Sequence, residues 1–284
     1  MKVRVLLIAG LLTSLFLGCN SDDIPDPVLC KVVTITDQLD VNGRMTDQMQ
    51  RTFTYTEGLL TQLGERNTDR EVSLKLDYNA AGAVTKASDG VLTIMFTTGA
   101  SSTQPASATS TRSGTMQATY ELTYNAANKL ARVIETRQVI PTNTFVRSRE
   151  YTFTYDAEGI LKTEKLTSTL LDRTTVEQET DYIYSALINP MVNFTQPGLL
   201  TVVALSQLVE TMPGRFWQQR VMQEYKIYSA KNGTRSTVRE TATFTTKTDE
   251  NGRLSGQEQN TMGTSVSGQT TQRKNKHAFV YLCK

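Results

Sequence analysis

The sequence predicts a mainly β chain, an antiparallel meander of hairpin repeats forming a curved sheet or half-barrel with one helical insertion packed on it. Three observations point there. Short turn segments with Asp or Asn early and Gly or Asn late recur along the chain, the stretches before them alternate apolar and polar residues, and one apolar run with helical spacing lies between two Pro-Gly pairs.

Tyr78-Asn79-Ala80-Ala81-Gly82-Ala83-Val84, Tyr124-Asn125-Ala126-Ala127-Asn128-Lys129-Leu130, Tyr155-Asp156-Ala157-Glu158-Gly159-Ile160-Leu161 and Thr248-Asp249-Glu250-Asn251-Gly252-Arg253-Leu254 align without gaps. Leu39 to Met45 is a further copy, and Tyr55 to Leu60 is one residue shorter. Asp or Asn caps such a turn by accepting from its own backbone, and Gly or Asn tolerates the left-handed conformation. Before the turns, Tyr151-Thr152-Phe153-Thr154-Tyr155 and Ala242-Thr243-Phe244-Thr245 read as half-buried strands.

These copies resemble the Tyr-Asp (YD) repeats of bacterial Rhs-type surface and toxin proteins. More closely, they resemble lipoproteins of unknown function that carry a few such hairpins. The resemblance implies a β-hairpin repeat domain at a cell surface. With few copies and no toxin-like segment after them, it does not imply a closed shell.

Two stretches interrupt the meander. Gly99 to Gly114 is Ser/Thr-rich and of low complexity, which predicts a flexible loop. Residues 186–214 form the helical insertion. Between Pro197-Gly198 and Pro213-Gly214, the run Leu199 to Met212 places Val202, Leu205, Leu208, Val209 and Met212 on one face and Ser206, Gln207 and Glu210 on the other. The expectation is an amphipathic helix with its apolar face on the concave side of the sheet.

At the N-terminus, Lys2 and Arg4 precede the apolar run Val5 to Leu17, too short for a comfortable membrane span and of the length of a secretory signal. Leu15-Phe16-Leu17-Gly18-Cys19 resembles the lipobox of bacterial lipoproteins, which implies lipidation of Cys19. Three segments follow: a signal peptide at 1–18, a lipidated tether at 19–29 and a single domain at 30–284. The acidic run Ser21-Asp22-Asp23 resembles the export signal of surface lipoproteins, which favours the cell surface over the periplasmic face of the outer membrane. Cys30 and Cys283 stand at the two ends of the domain, and a disulfide between them is the expectation in an oxidising compartment, with two buried thiols as the alternative.

Composition excludes some functions. Without Lys2 and Arg4 the basic residues fall level with the 28 acidic ones, so there is no charge excess with which to grip nucleic acid. The one histidine, His277, reads as a surface residue. No zinc-type cluster, nucleophile elbow or phosphate loop is present, so no cofactor or metal is expected. Carboxylate pairs such as Glu177/Glu179, on a strand face, and Asp249/Glu250, in a turn, are of the kind a glycosidase needs, and a solvated strand face and turn capping account for them. The Asn193 and Asn232 glycosylation sequons read as noise. Phe216 and Trp217, with the only tryptophan, are the candidate ligand contacts. The reading is a non-enzymatic binding or structural lipoprotein, held by its lipid and with a glycan or an apolar molecule as possible ligand. A carboxylate hydrolase or an adhesin/assembly subunit is the alternative.

Overall fold

The computed structural model describes residues 30–99, 103–139, 144–170, 172–193, 196–207, 212–265 and 267–283. The signal peptide, Cys19 and the tether lie outside them. Sixteen strands follow one another: β1 (Cys30–Val41), β2 (Arg44–Thr56), β3 (Leu59–Arg66), β4 (Glu71–Tyr78), β5 (Val84–Ser88), β6 (Leu92–Thr98), β7 (Pro105–Arg112) and β8 (Thr115–Tyr124). Then come β9 (Leu130–Val139), β10 (Thr144–Tyr155), β11 (Leu161–Thr169), β12 (Thr175–Ile188), β13 (Arg220–Lys231), β14 (Thr234–Thr248), β15 (Leu254–Thr264) and β16 (Thr270–Cys283). Each pairs antiparallel with its neighbours, and β16 returns to β1, so the sheet closes into a barrel.

This corrects the expected open sheet or half-barrel. At the seam the register runs from Cys30↔Cys283 to Leu39↔Asn275, and a disulfide joins the first pair. An open sheet would leave two long strands with unpaired backbone groups, and closure removes both edges. Nothing local to β1 or β16 announces that they meet, apart from the two cysteines.

Two kinds of turn recur: long side-chain-capped ones, most of them at one end of the barrel but with a Ser265-capped one at the other, and tight ones, most of them at that other end but also at Glu57-Gly58 of the first. At the end that also holds Cys30 and Cys283, called the mouth below, the long copies behave as the spacing predicts. Asn79 Oδ1 accepts from the N–H groups of Ala81 and Ala83, Asn125 Oδ1 from those of Ala127 and Lys129, and Asp249 Oδ1 from those of Asn251 and Arg253. Asn128, where the others have Gly, has φ 57°. At the base are tight turns with positive φ at both central residues: Asn42-Gly43, Ser113-Gly114 and Asn232-Gly233. They match the right-handed twist of a hairpin. The Leu39–Met45 copy is therefore a base turn of another type, and the Asn232 sequon lies in a hairpin turn.

The tyrosine before a long turn has its own physical cause. Tyr78, Tyr124 and Tyr155 donate their hydroxyls to the carbonyls of Leu60, Pro105 and Leu130, each on the preceding strand. Tyr55 and Tyr281 do the same to Val32 and Leu254. A ring of such bonds ties neighbouring hairpins at the mouth. Tyr184 on β12 has no hydrogen-bond partner among the described residues.

The low-complexity stretch is wall, not loop. Pro105–Arg112 is β7, and its Ala108 and Ser110 face inward and are buried. The helix explains the small residues. Helix α1 (Pro197–Ser206) enters from the mouth and runs down inside the barrel, beside β7 and β8. Pro197 opens it at the first helical position, where its missing N–H costs nothing. A Cβ on Gly198 would collide with Tyr124 and Leu122, so only glycine fits there.

The helix differs from its expected form. It ends at Ser206, residues 208–211 lie outside the described set, and it is buried on all sides. Ser206 and Gln207, expected on a wet face, are inside the lumen, as are Val202, Leu205 and Met212. A helix inside a closed barrel has no wet face, so its polar groups need wall partners.

Candidate functional site

Among the described residues, two polar clusters lie in the lumen and a cleft opens beside the insertion. The first cluster holds the end of α1. Glu135 on β9 is fully buried and accepts from Arg137 Nε at 2.8 Å, Arg149 Nη2 at 2.5 Å and Ser148 Oγ at 2.8 Å. The two guanidinium groups also donate to the carbonyl of Leu205, Arg149 at 2.9 Å and Arg137 at 3.4 Å. Cations at a helix C-terminus complement both its unpaired carbonyls and its dipole. Burial pushes the Glu135 pKa up, but the Arg137 hydrogen bond and the Arg149 charge outweigh it and hold the carboxyl below its ordinary value. Arg70, from the base, donates to Gln207 Oε1 at 2.6 Å. On the return leg, buried Glu164 accepts from the N–H of Gly214 at 2.9 Å.

The second cluster lies across the lumen on β1, β2 and β13 to β16. Asp37 takes His277 Nδ1 on one oxygen at 2.6 Å and Arg51 Nη1 on the other at 2.9 Å. His277 Nε2 meets Gln259 Oε1 at 3.0 Å, and Gln259 Nε2 donates to Tyr225 and Thr261. Tyr225 in turn donates to Glu240 at 2.6 Å. Burial pushes the Asp37 pKa up, but the His277 hydrogen bond and the Arg51 charge reverse this and hold it well below the carboxylate range. His277, expected on the surface, is thus an interior residue. A cavity of about 90 Å³ beside it suits a few waters, being smaller than the roughly 150 Å³ that admits benzene in a protein interior.

The cleft is at the mouth. It encloses about 360 Å³ between the turns that follow β8 and β10 and the insertion, and is lined by Tyr155, Trp217, Lys129, Asn128, Gln218 and Gln219 among others. Trp217 Nε1 donates to Thr201 Oγ1 of α1 at 3.1 Å, and its ring packs edge-on against Phe153 at 5.3 Å. Tyr155 lies 6.3 Å away, with Lys129 Nζ over its ring at 5.6 Å.

Of the candidate contacts, Trp217 lines this cleft, while the side chain of Phe216 and all of Cys19 lie outside the described residues. The carboxylate pairs do not converge. Glu177 and Glu179 face outward and pair with Lys165 and Arg235, and Asp249 caps a turn and binds Arg253. Sequence reasoning missed Asp37, Glu135, Arg137 and Arg149. Their signal was an inward phase: Asp37 shares it with Ile35, Glu135 and Arg137 with Val133, and Arg149 with Tyr151 and Phe153.

The outer wall has a character of its own. Glu71, Lys75 and Asp77 on β4 and Glu121 and Thr123 on β8 are exposed between buried neighbours. Arg132–Glu150, Lys165–Glu177 and Lys226–Glu224 are ion pairs on the same outward face. β5 has 5 residues and β6 has 7, short of the roughly 9–11 a membrane-crossing strand needs. No helix among the described residues is long and apolar enough to cross a membrane.

No protein-family model matches the chain, and no curated protein matches it. Among solved structures it is similar to a porin-like protein from Bacteroides uniformis, with 13% identity and a TM-score of 0.56, over 88% of this chain and 96% of that one. It is also similar to a porin-like protein from Bacteroides vulgatus, with 11% identity and a TM-score of 0.51, over 89% and 98%. At such identities the likeness is one of fold.

Proposed function

We propose that the chain is a non-enzymatic envelope protein, a water-facing barrel tethered to the outer membrane through Cys19 and built to bind or scaffold, not to conduct. The observation that supports this best is the outer wall. A membrane barrel presents an apolar band about 25 Å tall, and a Lys or Arg at its midplane costs about 2–4 kcal/mol. Here Lys75, Arg132, Lys165 and Lys226 point outward from the wall. The lumen supports the same reading, since α1 fills one side and wall side chains fill the other. The porin-like neighbours support an envelope setting, and the lipobox resemblance supplies the anchor.

The test uses the lipidated protein in planar bilayers and a version with a protease site inside residues 20–29. No conductance steps are expected, and cleavage should release a folded β protein into detergent-free buffer. Cys19→Ser should lose labelling by a palmitate analogue. Channel steps, or a barrel that stays in the bilayer after cleavage, would overturn the reading.

A further inference from the structure

We infer that the mouth cleft is a glycan site: Trp217 and Tyr155 stack on the C–H face of one or two sugar rings, and Lys129 selects those that carry an acidic group. The cleft goes beyond the reading of a tethered barrel, resting on it only for where the glycan is met.

The lining narrows the ligand class. No carboxylate lines the cleft, so it offers nothing to a metal ion or an organic cation. An apolar ligand would desolvate the exposed amides of Asn128 and Gln219 without repaying their hydrogen bonds. A phosphate-bearing group calls for more than one cation, and Lys129 is the only one in the lining. What fits is a molecule with an apolar face and a polar edge. A pyranose ring has both, and amides both donate to and accept from adjacent hydroxyls.

The aromatic rings are also preset. The indole is pinned by its bond to Thr201 and by Phe153, and Tyr155 by its 2.6 Å bond to the carbonyl of Leu130. Rings already fixed lose little entropy when a ligand arrives. Gln104 and Gln218 are committed to the cleft's own frame, bonding the carbonyls of Asn128 and Gly214. Asn128 and Gln219 keep exposed side chains at its rim. A volume of about 360 Å³ falls at the low end of small-ligand sites, which run from about 300 to 1,000 Å³. Mouths of barrels are a common place for such sites.

Position adds the source. The cleft opens at the same end as Cys30, from which residues 19–29 lead back to Cys19. Fully extended, that tether reaches about 40 Å at 3.3–3.6 Å per residue. A lipid on Cys19 would hold the cleft within that distance of the membrane, among the sugars of the envelope.

Trp217 is the only tryptophan, so the fluorescence of the purified full chain reads this cleft directly. The probes are chitobiose, a glucuronic-acid-containing disaccharide, and the oligosaccharide released from outer-membrane lipopolysaccharide. A saturable change is expected, about ten-fold tighter for the acidic than for the neutral disaccharide. Lys129→Gln should erase that preference, and Gln219→Ala should weaken both disaccharides about ten-fold. Gln219 is exposed at the rim and Lys129 is half-buried over Tyr155, so Gln219→Ala should keep the wild-type melting temperature and Lys129→Gln should lower it only slightly. Calorimetry with Trp217→Phe should show reduced binding where fluorescence cannot report. Tighter binding of the envelope oligosaccharide, or of the free disaccharides, supports the site and assigns its source. No saturable change with any probe would overturn it, as would binding unaltered in both Lys129→Gln and Gln219→Ala. Either negative result leaves the non-conducting barrel standing, whereas channel steps would remove that reading and not this one.

Discussion

The two sides of the lumen fill the same kind of space by opposite means. On the side of β5 to β8, the inward positions include Ala87, Ala108, Ser110 and Ala118, all buried and small. α1 lies against part of this wall and supplies Leu199, Leu200, Val202, Val203 and Leu205. Across the lumen, on β1, β2 and β13 to β16, the inward positions are Arg51, Tyr225, Phe244, Gln257, Gln259, His277 and Phe279. Small residues thus stand beside α1 at Ala108, Ser110 and Ala118, among larger ones such as Tyr120 and Leu122, whereas across the lumen long side chains reach inward.

The difference also sorts the polar groups. On the helix side, charge is concentrated at one place, the Glu135 cluster, and its task is to close the helix end. On the other side, polar groups spread as a chain from Arg51 through Asp37, His277 and Gln259 to Tyr225 and Glu240. A concentrated ion cluster fails abruptly when one member is lost, because the others remain buried without a partner. On the polar side Arg51 also pairs with Glu65, so the loss of Asp37 leaves it with a second carboxylate. Substitutions on the two sides should therefore differ in size.

The largest effect is expected at Glu135. Glu135→Ala leaves Arg137 and Arg149 facing each other and Leu205 with no carboxylate nearby. Breaking a buried ion pair costs about 3–5 kcal/mol. Urea unfolding should show that loss, and hydrogen exchange should show α1 amides opening before the wall. A loss below 1 kcal/mol would mean that the helix is not held by this cluster.

A smaller effect tests the room beside α1. Ala108→Leu puts a long side chain where α1 needs room, and overpacking a tight core costs about 1–3 kcal/mol. Near-UV circular dichroism should change as well, since Trp217 is tied to α1 through Thr201. An unchanged melting temperature and spectrum would show that the helix has slack beside β7.

How much of this could be read beforehand varies by feature. The turn chemistry of Asn79, Asn125, Asp156 and Asp249 is local and was legible, because one side chain and its own backbone decide it. The start of α1 lies two residues before the expected Leu199, because Pro197 serves as its first helical residue and not as a breaker. Closure was not legible, since pairing β1 with β16 is a long-range choice of the twisted sheet, hinted at only by Cys30 and Cys283. The helix end was missed because Ser206 and Gln207 look like a wet face until wall arginines are placed beside them. β7 was mistaken for a loop because its small residues answer to a helix some 90 positions later. Trp217 was singled out, but the partners that make a cleft of it, Tyr155 and Lys129, come from two other turns.

The smallest effect is expected on the polar side, at Asp37. Asp37→Asn keeps an acceptor for either Arg51 or His277 but gives up the charge. Hydrogen bonds to charged groups are worth about 1.5–3 kcal/mol and neutral ones about 1, so the variant should lose about 1–2 kcal/mol at pH 7. The dependence on pH has a definite sign. The folded-state pKa of Asp37 is depressed, so its contribution is complete above the ordinary carboxylate value near 4 and is lost as pH falls below it. The gap between wild type and Asp37→Asn should thus be full at pH 7 and shrink between pH 4 and pH 2.5. The Glu135 pKa is depressed as well, so acid sensitivity should persist in the variant through the helix side. Urea midpoints of the two proteins across pH 2.5–7 measure both. A gap of constant size would show that Asp37 has the same pKa folded and unfolded. A variant with no remaining acid sensitivity would place the whole of it on the polar side, reversing the contrast between the two halves.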